Sequence, residues 1–230
     1  MTIFILKRNM NSKKFITILL GLIINITLFS QYKPDTIITT ESYVSYVNKQ
    51  LGQPLYVKYK LYKGGGDCKR SNNWVNDTKL KLVNENQYKG SSYDKGHLAN
   101  AEDFAYNCHL DSLTFRDYNR IPQTKKLNRG IWKSLEDEVR GMSQNDSLLI
   151  LCGGFWDGRS KDVNGMKIPV KCWKVIYSLS QKKVLYCYIF LNSETPLRYE
   201  SNVEGLESML GYSLGLPKEI VNNKKVKKKK

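Results

Sequence analysis

The chain has 230 residues, 41% hydrophobic and 25% charged, a balance that excludes a disordered or fibrous protein and suits one domain with a proper core. Its formal net charge of +16 is consistent with a polyanionic partner and equally with solubility alone.

In chain order, residues 1–30 read as a signal peptide. Lys7, Arg8, Lys13 and Lys14 precede an uncharged run from Phe15 to Phe29, closed by Ser30-Gln31. A membrane-spanning helix needs ~20 apolar residues to cross ~30 Å of hydrocarbon. This run has fifteen, within the length of a signal-peptide core, and an uncleaved anchor is the lesser alternative. Met10 to Ser30 is itself a complete signal peptide, so Met1 and Met10 are both candidate starts. Removal of residues 1–30 leaves a net charge of +12, six of it from lysines in a tail over residues 224–230 that is expected to be disordered. The expected layout is therefore a signal peptide (1–30), one domain (31–223) and the basic tail, in a secreted or periplasmic protein.

Residues 43–48 and 55–61 alternate apolar and polar side chains around Gly52-Gln53-Pro54, the pattern of two half-buried strands. Gly64-Gly65-Gly66 ends that unit, and the polar stretch 72–92 reads as surface loop. From Asn128, the spacing of Ile131, Trp132, Leu135 and Val139 predicts an amphipathic helix to about Met142. Residues 147–153, 167–178 and 183–191, rich in Val, Ile, Leu and Tyr, predict the central strands of a sheet, and 203–210 a closing helix. The sum is an α+β layout with strands around one central helix.

Five cysteines with no CxxC pair and only two histidines argue against a structural zinc site. Cys152, Cys172 and Cys187 sit in apolar strand-like runs and are expected to behave as small buried hydrophobes. Cys68 and Cys108 lie in polar surroundings, and are the expected bridge if export permits one.

Any histidine chemistry must choose between His97 and His109. His97 stands in Tyr93-Asp94-Lys95-Gly96-His97-Leu98-Ala99, where the glycine allows close backbone approach and the charges suit a polar site; alone, such a histidine is more often structural. The context adds more. YKGSSYDKGHLANAEDF, TFRDYNRIPQ and LNRGIWKSLEDEVR follow one another in that order, and together they resemble the DNA/RNA non-specific endonuclease family. These are ββα-metal (His-Me finger) nucleases, with an Asp-Arg-Gly-His motif, an Asn-x-x-Pro-Gln segment and a Leu-Asn-x-x-x-Trp-x-x-Leu-Glu helix. KRSNNW at 69–74, IPVKCWKVIY at 168–177 and VEGLESMLG at 203–211 extend the resemblance weakly outward.

The resemblance implies a central antiparallel sheet packed with helices, and sugar-non-specific cleavage of DNA and RNA. It puts the general base on His97, a metal-binding asparagine on Asn128 and the helix glutamate on Glu136. It also puts a transition-state arginine on Arg70, with Lys69 as the neighbouring register, and substrate-facing roles on Lys95, Arg140 and Asn119. Chemistry agrees with that division. Histidine's ordinary pKa of ~6.5 suits water activation, and Mg²⁺, with Mn²⁺ as the alternative, keeps its waters and accepts a single amide oxygen. Eight residues along an α-helix turn through about 80° and rise ~12 Å, so Asn128 and Glu136 can face one groove. Arg140 alternatively pairs with Glu136, and Asn119 alternatively braces a turn. Two departures from the family pattern are Lys95 for arginine, which loses the bidentate fork, and Asn100 for proline. A homodimer is a further implied possibility. The competing readings are a non-catalytic nucleic-acid binder on the same fold and a toxin-type nuclease.

Overall fold

The computed structural model describes residues 32–216, so the expected signal peptide and lysine tail lie outside the described residues. The strands are β1 (Thr36–Thr39), β2 (Val44–Asn48), β3 (Gln53–Leu61), β4 (Tyr93–His97), β5 (Arg120–Thr124), β6 (Leu148–Phe155), β7 (Asp162–Val163), β8 (Met166–Lys167), β9 (Lys171–Ser178), β10 (Lys183–Leu191) and β11 (Arg198–Glu200). Seven of them form one sheet in the order β1-β2-β3-β6-β9-β10-β11, antiparallel at every pairing. β6 and β9 lie at its middle and are buried along nearly their whole length, which is why they read as continuous apolar runs rather than as alternating ones. The edges are blunted in the usual way, with a four-residue β1 and a three-residue, fully exposed β11.

The predicted central helix is present but interrupted. A short turn α3 (Lys125–Leu127) passes into a π-helical segment, Asn128–Trp132, and then into α4 (Lys133–Met142). Gly130 leaves helical geometry at φ −105° and ψ −116°, and such π segments are frequent at functional sites. The helix buries Leu127, Trp132, Leu135 and Val139, with Trp132 edge-on to Phe190 of β10 at 5.4 Å. These contacts seat the helix on the sheet and leave its opposite flank to form one wall of a cleft.

The other wall is the two-stranded ribbon β4–β5, which pairs His97 with Arg120. It is tied to the sheet where the thiol of Cys152 donates to the Leu98 carbonyl. Two short helices were not expected from the sequence, α1 (Glu85–Tyr88) and α2 (Cys108–Leu113). Both are too short to show helical periodicity, although each carries a local start signal. Asn84 and Gln87 form a capping box, and Asn107 accepts from the backbone N–H groups of His109 and Leu110. The closing helix, α5 (Val203–Leu210), ends on Gly211 in the left-handed conformation. No described helix is long and apolar enough to cross a membrane.

Cys68 and Cys108 form a disulfide, while Cys152, Cys172 and Cys187 are buried. The bridge pins the segment just before Arg70 to α2, and the Cys68 N–H adds a bond of 3.1 Å to the Ala105 carbonyl.

Candidate active site

A cleft of about 380 Å³ lies between ribbon and helix, lined by Arg70, Lys95, His97, Asn128, Glu136 and Arg140 together with Asn100, Glu102, Arg129, Lys133 and Asp137. His97 and Asn128 therefore face a common space. Arg70 lines it, and Lys69, the neighbouring register, does not.

His97 closes β4, immediately after Gly96. A Cβ at Gly96 would stand 2.2 Å from Oε1 of the buried Gln123, so glycine here leaves the room that the Gln123 side chain occupies. The imidazole is wedged between Trp74 at 4.7 Å and Phe115, edge-on, at 4.8 Å, and its Nε2 is buried without a protein partner. Burial, reinforced by the cations of Arg70, Arg120 and Lys95, pushes its pKa down to about 3. The ring is consequently a neutral acceptor in the free protein at any ordinary pH.

The depressed pKa also acts on stability. Between about pH 3 and pH 6.5 the unfolded chain binds a proton at His97 that the folded chain does not, so stability from this residue rises with pH across that window. Melting curves should show wild type losing more stability than His97→Gln when pH is lowered from about 7 to about 5. Parallel losses in the two proteins would contradict the depressed value.

Arg120, predicted from no motif role, is paired with His97 across the ribbon and is one of the three cations acting on it. It is almost fully buried, with its guanidinium 4.5 Å from the Trp74 ring and 5.0 Å from that of Tyr88, bonded to Asp117 and, at 3.2 Å, to Glu85. Lys95 donates to Glu85 at 2.7 Å and lies 5.7 Å from the Trp74 ring. Arg70 is half exposed, 3.8 Å from Glu102, with its guanidinium 5.4 Å from the Phe115 ring.

Across the cleft, the Asn128 Nδ2 donates to Asp94 at 3.0 Å, and Arg129 grips the same carboxylate through two bonds of 2.8 Å. Burial opposes the charge on Asp94, but Arg129 and Asn128 hold its pKa below the usual carboxylate value. With its nitrogen committed in this way, Asn128 keeps its Oδ1 as the free acceptor. Asp94 was visible in the sequence only as the first residue of the histidine motif.

Glu136 is buried rather than solvated. Its Oε2 accepts from Asn100 Nδ2 at 2.5 Å and its Oε1 from Lys174 Nζ at 3.1 Å. Arg140 does not bond to Glu136. Its partners are Asp103 at 3.0 Å and Asp137 at 3.0 Å. Asp103 also accepts from Tyr59 at 2.8 Å, and burial pushes its pKa up to about 6.

The expectation that Asn119 meets substrate is corrected. Its side chain is fully buried, accepting from the Ala99 N–H at 2.8 Å and donating to the carbonyls of Ala99 at 2.9 Å and Thr114 at 2.8 Å. A primary amide matches a backbone N–H and C=O pair, so the residue is spent on bracing the segment that follows His97. The second departure also has a role that the sequence did not show: Asn100 caps the 3₁₀ turn Ala101–Phe104, accepting from the Glu102 N–H at 2.8 Å, in addition to holding Glu136.

The donor set of the cleft suits a hard, hydrated cation. It offers the Asn128 amide oxygen and the Glu136 carboxylate, and the described residues contain no cluster of three His, Cys, Asp or Glu that would enclose a metal as a structural zinc site does.

The chain is similar to known nucleases in sequence and in fold. The chain is 27% identical over 201 residues to a nuclease from Nostoc sp., covering 78% of this chain and 73% of the relative. It is 25% identical over 187 residues to a nuclease from Serratia marcescens, covering 72% and 70% of the two chains. It is also 33% identical over 67 residues to human mitochondrial endonuclease G, covering 29% and 23% of the two chains. In fold it is similar to a chain in a solved EndoG/EndoGI complex, with a TM-score of 0.68, 21% identity and coverage of 78% of this chain and 86% of that one. Residues 24–215 match the DNA/RNA non-specific endonuclease family, and the chain belongs to that family of endonucleases.

Proposed function

We propose that the chain hydrolyses phosphodiester bonds in DNA and RNA without base selectivity, with His97 as general base and Asn128 as the protein ligand of a divalent cation, Mg²⁺ or Mn²⁺. The observation that carries this reading is the single cleft in which a neutral imidazole and an amide oxygen with its nitrogen already committed face the same space, ringed by arginine and lysine. The cation, when bound, neutralises charge on the phosphate and stabilises the leaving oxygen.

The residues of this chain account for the remaining steps. His97 accepts a proton from the attacking water. Burial is the main cause of the ring's depressed pKa, and the anionic phosphate offsets the part due to Arg70, Arg120 and Lys95, so the ring becomes more basic when substrate arrives. Arg70 and Arg140 complement the charge that develops on phosphorus; Arg140 is held by two carboxylates, which leaves it aimed rather than free. Lys95 adds a point charge without bidentate geometry. Glu136 would accept a hydrogen bond from a water of such a cation. Nothing in this set reads a base edge, consistent with a substrate recognised through its backbone.

We also propose that the protein is exported, with residues 1–30 removed and the domain ending before the tail at 224–230. The Cys68–Cys108 disulfide supports an oxidising compartment.

The test is turnover of residues 31–230 on plasmid DNA, single-stranded DNA and RNA. All three should be degraded with Mg²⁺ or Mn²⁺, and cutting should stop with chelator and return when the cation is restored. Binding without cutting in every metal condition would favour a nucleic-acid binder instead.

A further inference from the structure

We propose that Asn100 and Lys174 act together as positioning residues that clamp the Glu136 carboxylate from two sides, fixing the direction in which it presents its remaining lone pairs to the cleft. The proposal rests on the reading of Glu136 given above.

The two donors come from independent parts of the fold. Asn100 sits three residues after His97, and its amide is spanned between two tasks, with Oδ1 on the Glu102 N–H and Nδ2 on Glu136 Oε2 at 2.5 Å. Lys174 rises from β9, in the middle of the sheet, with 1% of its surface exposed. Its Nζ reaches Glu136 Oε1 at 3.1 Å and lies 4.2 Å from the Trp132 ring. Each carboxylate oxygen therefore has its own donor, and the acid cannot rotate about its last bond without breaking both bonds. A free glutamate on a helix surface would have no such constraint.

A lysine at the centre of a sheet needs an account, because burying an ammonium costs several kcal/mol that an apolar side chain avoids. Burial does oppose its charge, but Glu136, Cys152 and Asp103 carry it above the usual lysine value. Among the groups facing it, Glu136 is the one it bonds. Methionine would fill the same volume and pack against Trp132 as well, so packing alone does not explain lysine here. The clamp does explain it: Lys174 supplies the counter-charge, and Asn100 couples the carboxylate to the loop bearing His97. The two halves of the site are thereby joined through one acidic side chain.

Four variants test this: Asn100→Pro, Lys174→Met, Lys174→Arg and Glu136→Gln. Proline suits the backbone at position 100, where φ is −72°, and removes the bond to Glu136 together with the side-chain cap on the Glu102 N–H. Asn100→Pro should melt below wild type because the cap is lost, remain folded at the assay temperature, and lose roughly tenfold to a hundredfold in kcat, with KM for plasmid DNA little changed and a higher Mg²⁺ concentration needed for half-maximal rate. Lys174→Met should lose kcat in the same way, and Lys174→Arg should recover part of it. In the Glu136→Gln background, Asn100→Pro should cost nothing further in kcat, because both act through one group. Wild-type kcat and metal dependence in Asn100→Pro, alongside a slow Glu136→Gln, would overturn the clamp alone. The same holds if Asn100→Pro costs as much kcat in the Glu136→Gln background as it does in the otherwise wild-type enzyme. A Glu136→Gln enzyme as fast as wild type would overturn the reading of the site and the clamp with it.

Discussion

His97→Ala should bind plasmid DNA in a gel shift and cut it about 10²–10⁴-fold more slowly than wild type at saturating Mg²⁺, the usual span for loss of a general base. The size of the effect follows from the absence of any substitute in the cleft. His109, the other histidine, is exposed on α2 and paired with Glu41 at 3.2 Å, outside the cleft lining. His109→Ala should therefore cut at the wild-type rate, which makes it the matched control. The remaining cleft groups are poor replacements: Arg70, Lys95, Arg129, Lys133 and Arg140 are cationic, while the carboxylates are engaged, Glu136 by Asn100 and Lys174, Glu102 by Arg70, and Asp137 by Lys133 and Arg140. Alanine leaves the ring of Trp74, Phe115 and Arg120 around a small void, so the folded state should survive with reduced stability. Equal rates for wild type and His97→Ala would remove the base from the mechanism.

Asn128→Ala should show the second large loss, at least about 100-fold in rate at fixed Mg²⁺, with recovery only as the cation concentration is raised. The reason is again geometric. Asp94 anchors the amide nitrogen, Arg129 anchors Asp94, and the oxygen that remains is a preset ligand. Asp94→Ala should give a milder form of the same defect, because the oxygen is still present but its direction is no longer set. Titration of initial rate against Mg²⁺ separates the two, since a lost ligand and a misdirected ligand differ in the concentration needed for recovery. An Asn128→Ala protein with unchanged metal dependence would show that the cation is held elsewhere in the cleft.

Elements with many residues in register were readable from composition and spacing. Five of the strands and both longer helices were expected near their observed positions, because long apolar runs and the 3.6-residue period leave a strong imprint. The ribbon β4–β5 was not expected as strand, since Asp94, Lys95, Arg120 and Gln123 are weak strand formers; their pairing with each other, with Lys95 and Arg120 against the Trp74 ring, makes them extended. The π segment at Asn128–Trp132 was likewise invisible, because its residues keep a helical pattern and only the backbone of Gly130 departs from it.

Within the cleft, the residue types and their order in three motifs nominated Lys95, His97, Asn128, Glu136 and Arg140, and the weaker outer match at 69–74 nominated Arg70; all six line one space. The supply of chemical groups was settled before folding, because identity and spacing belong to the chain. Which of those groups are aimed, and by what, was settled only when the chain folded. Asn119 turned inward to brace a loop, Asn100 and Lys174 converged on Glu136 from opposite directions, and three cations closed around His97. Apart from Lys95, two residues from His97, those partners are separated by twenty or more residues and meet because the sheet, helix and ribbon pack. Hydrogen-bond direction and electrostatic shift depend on distance in space, which no local pattern encodes.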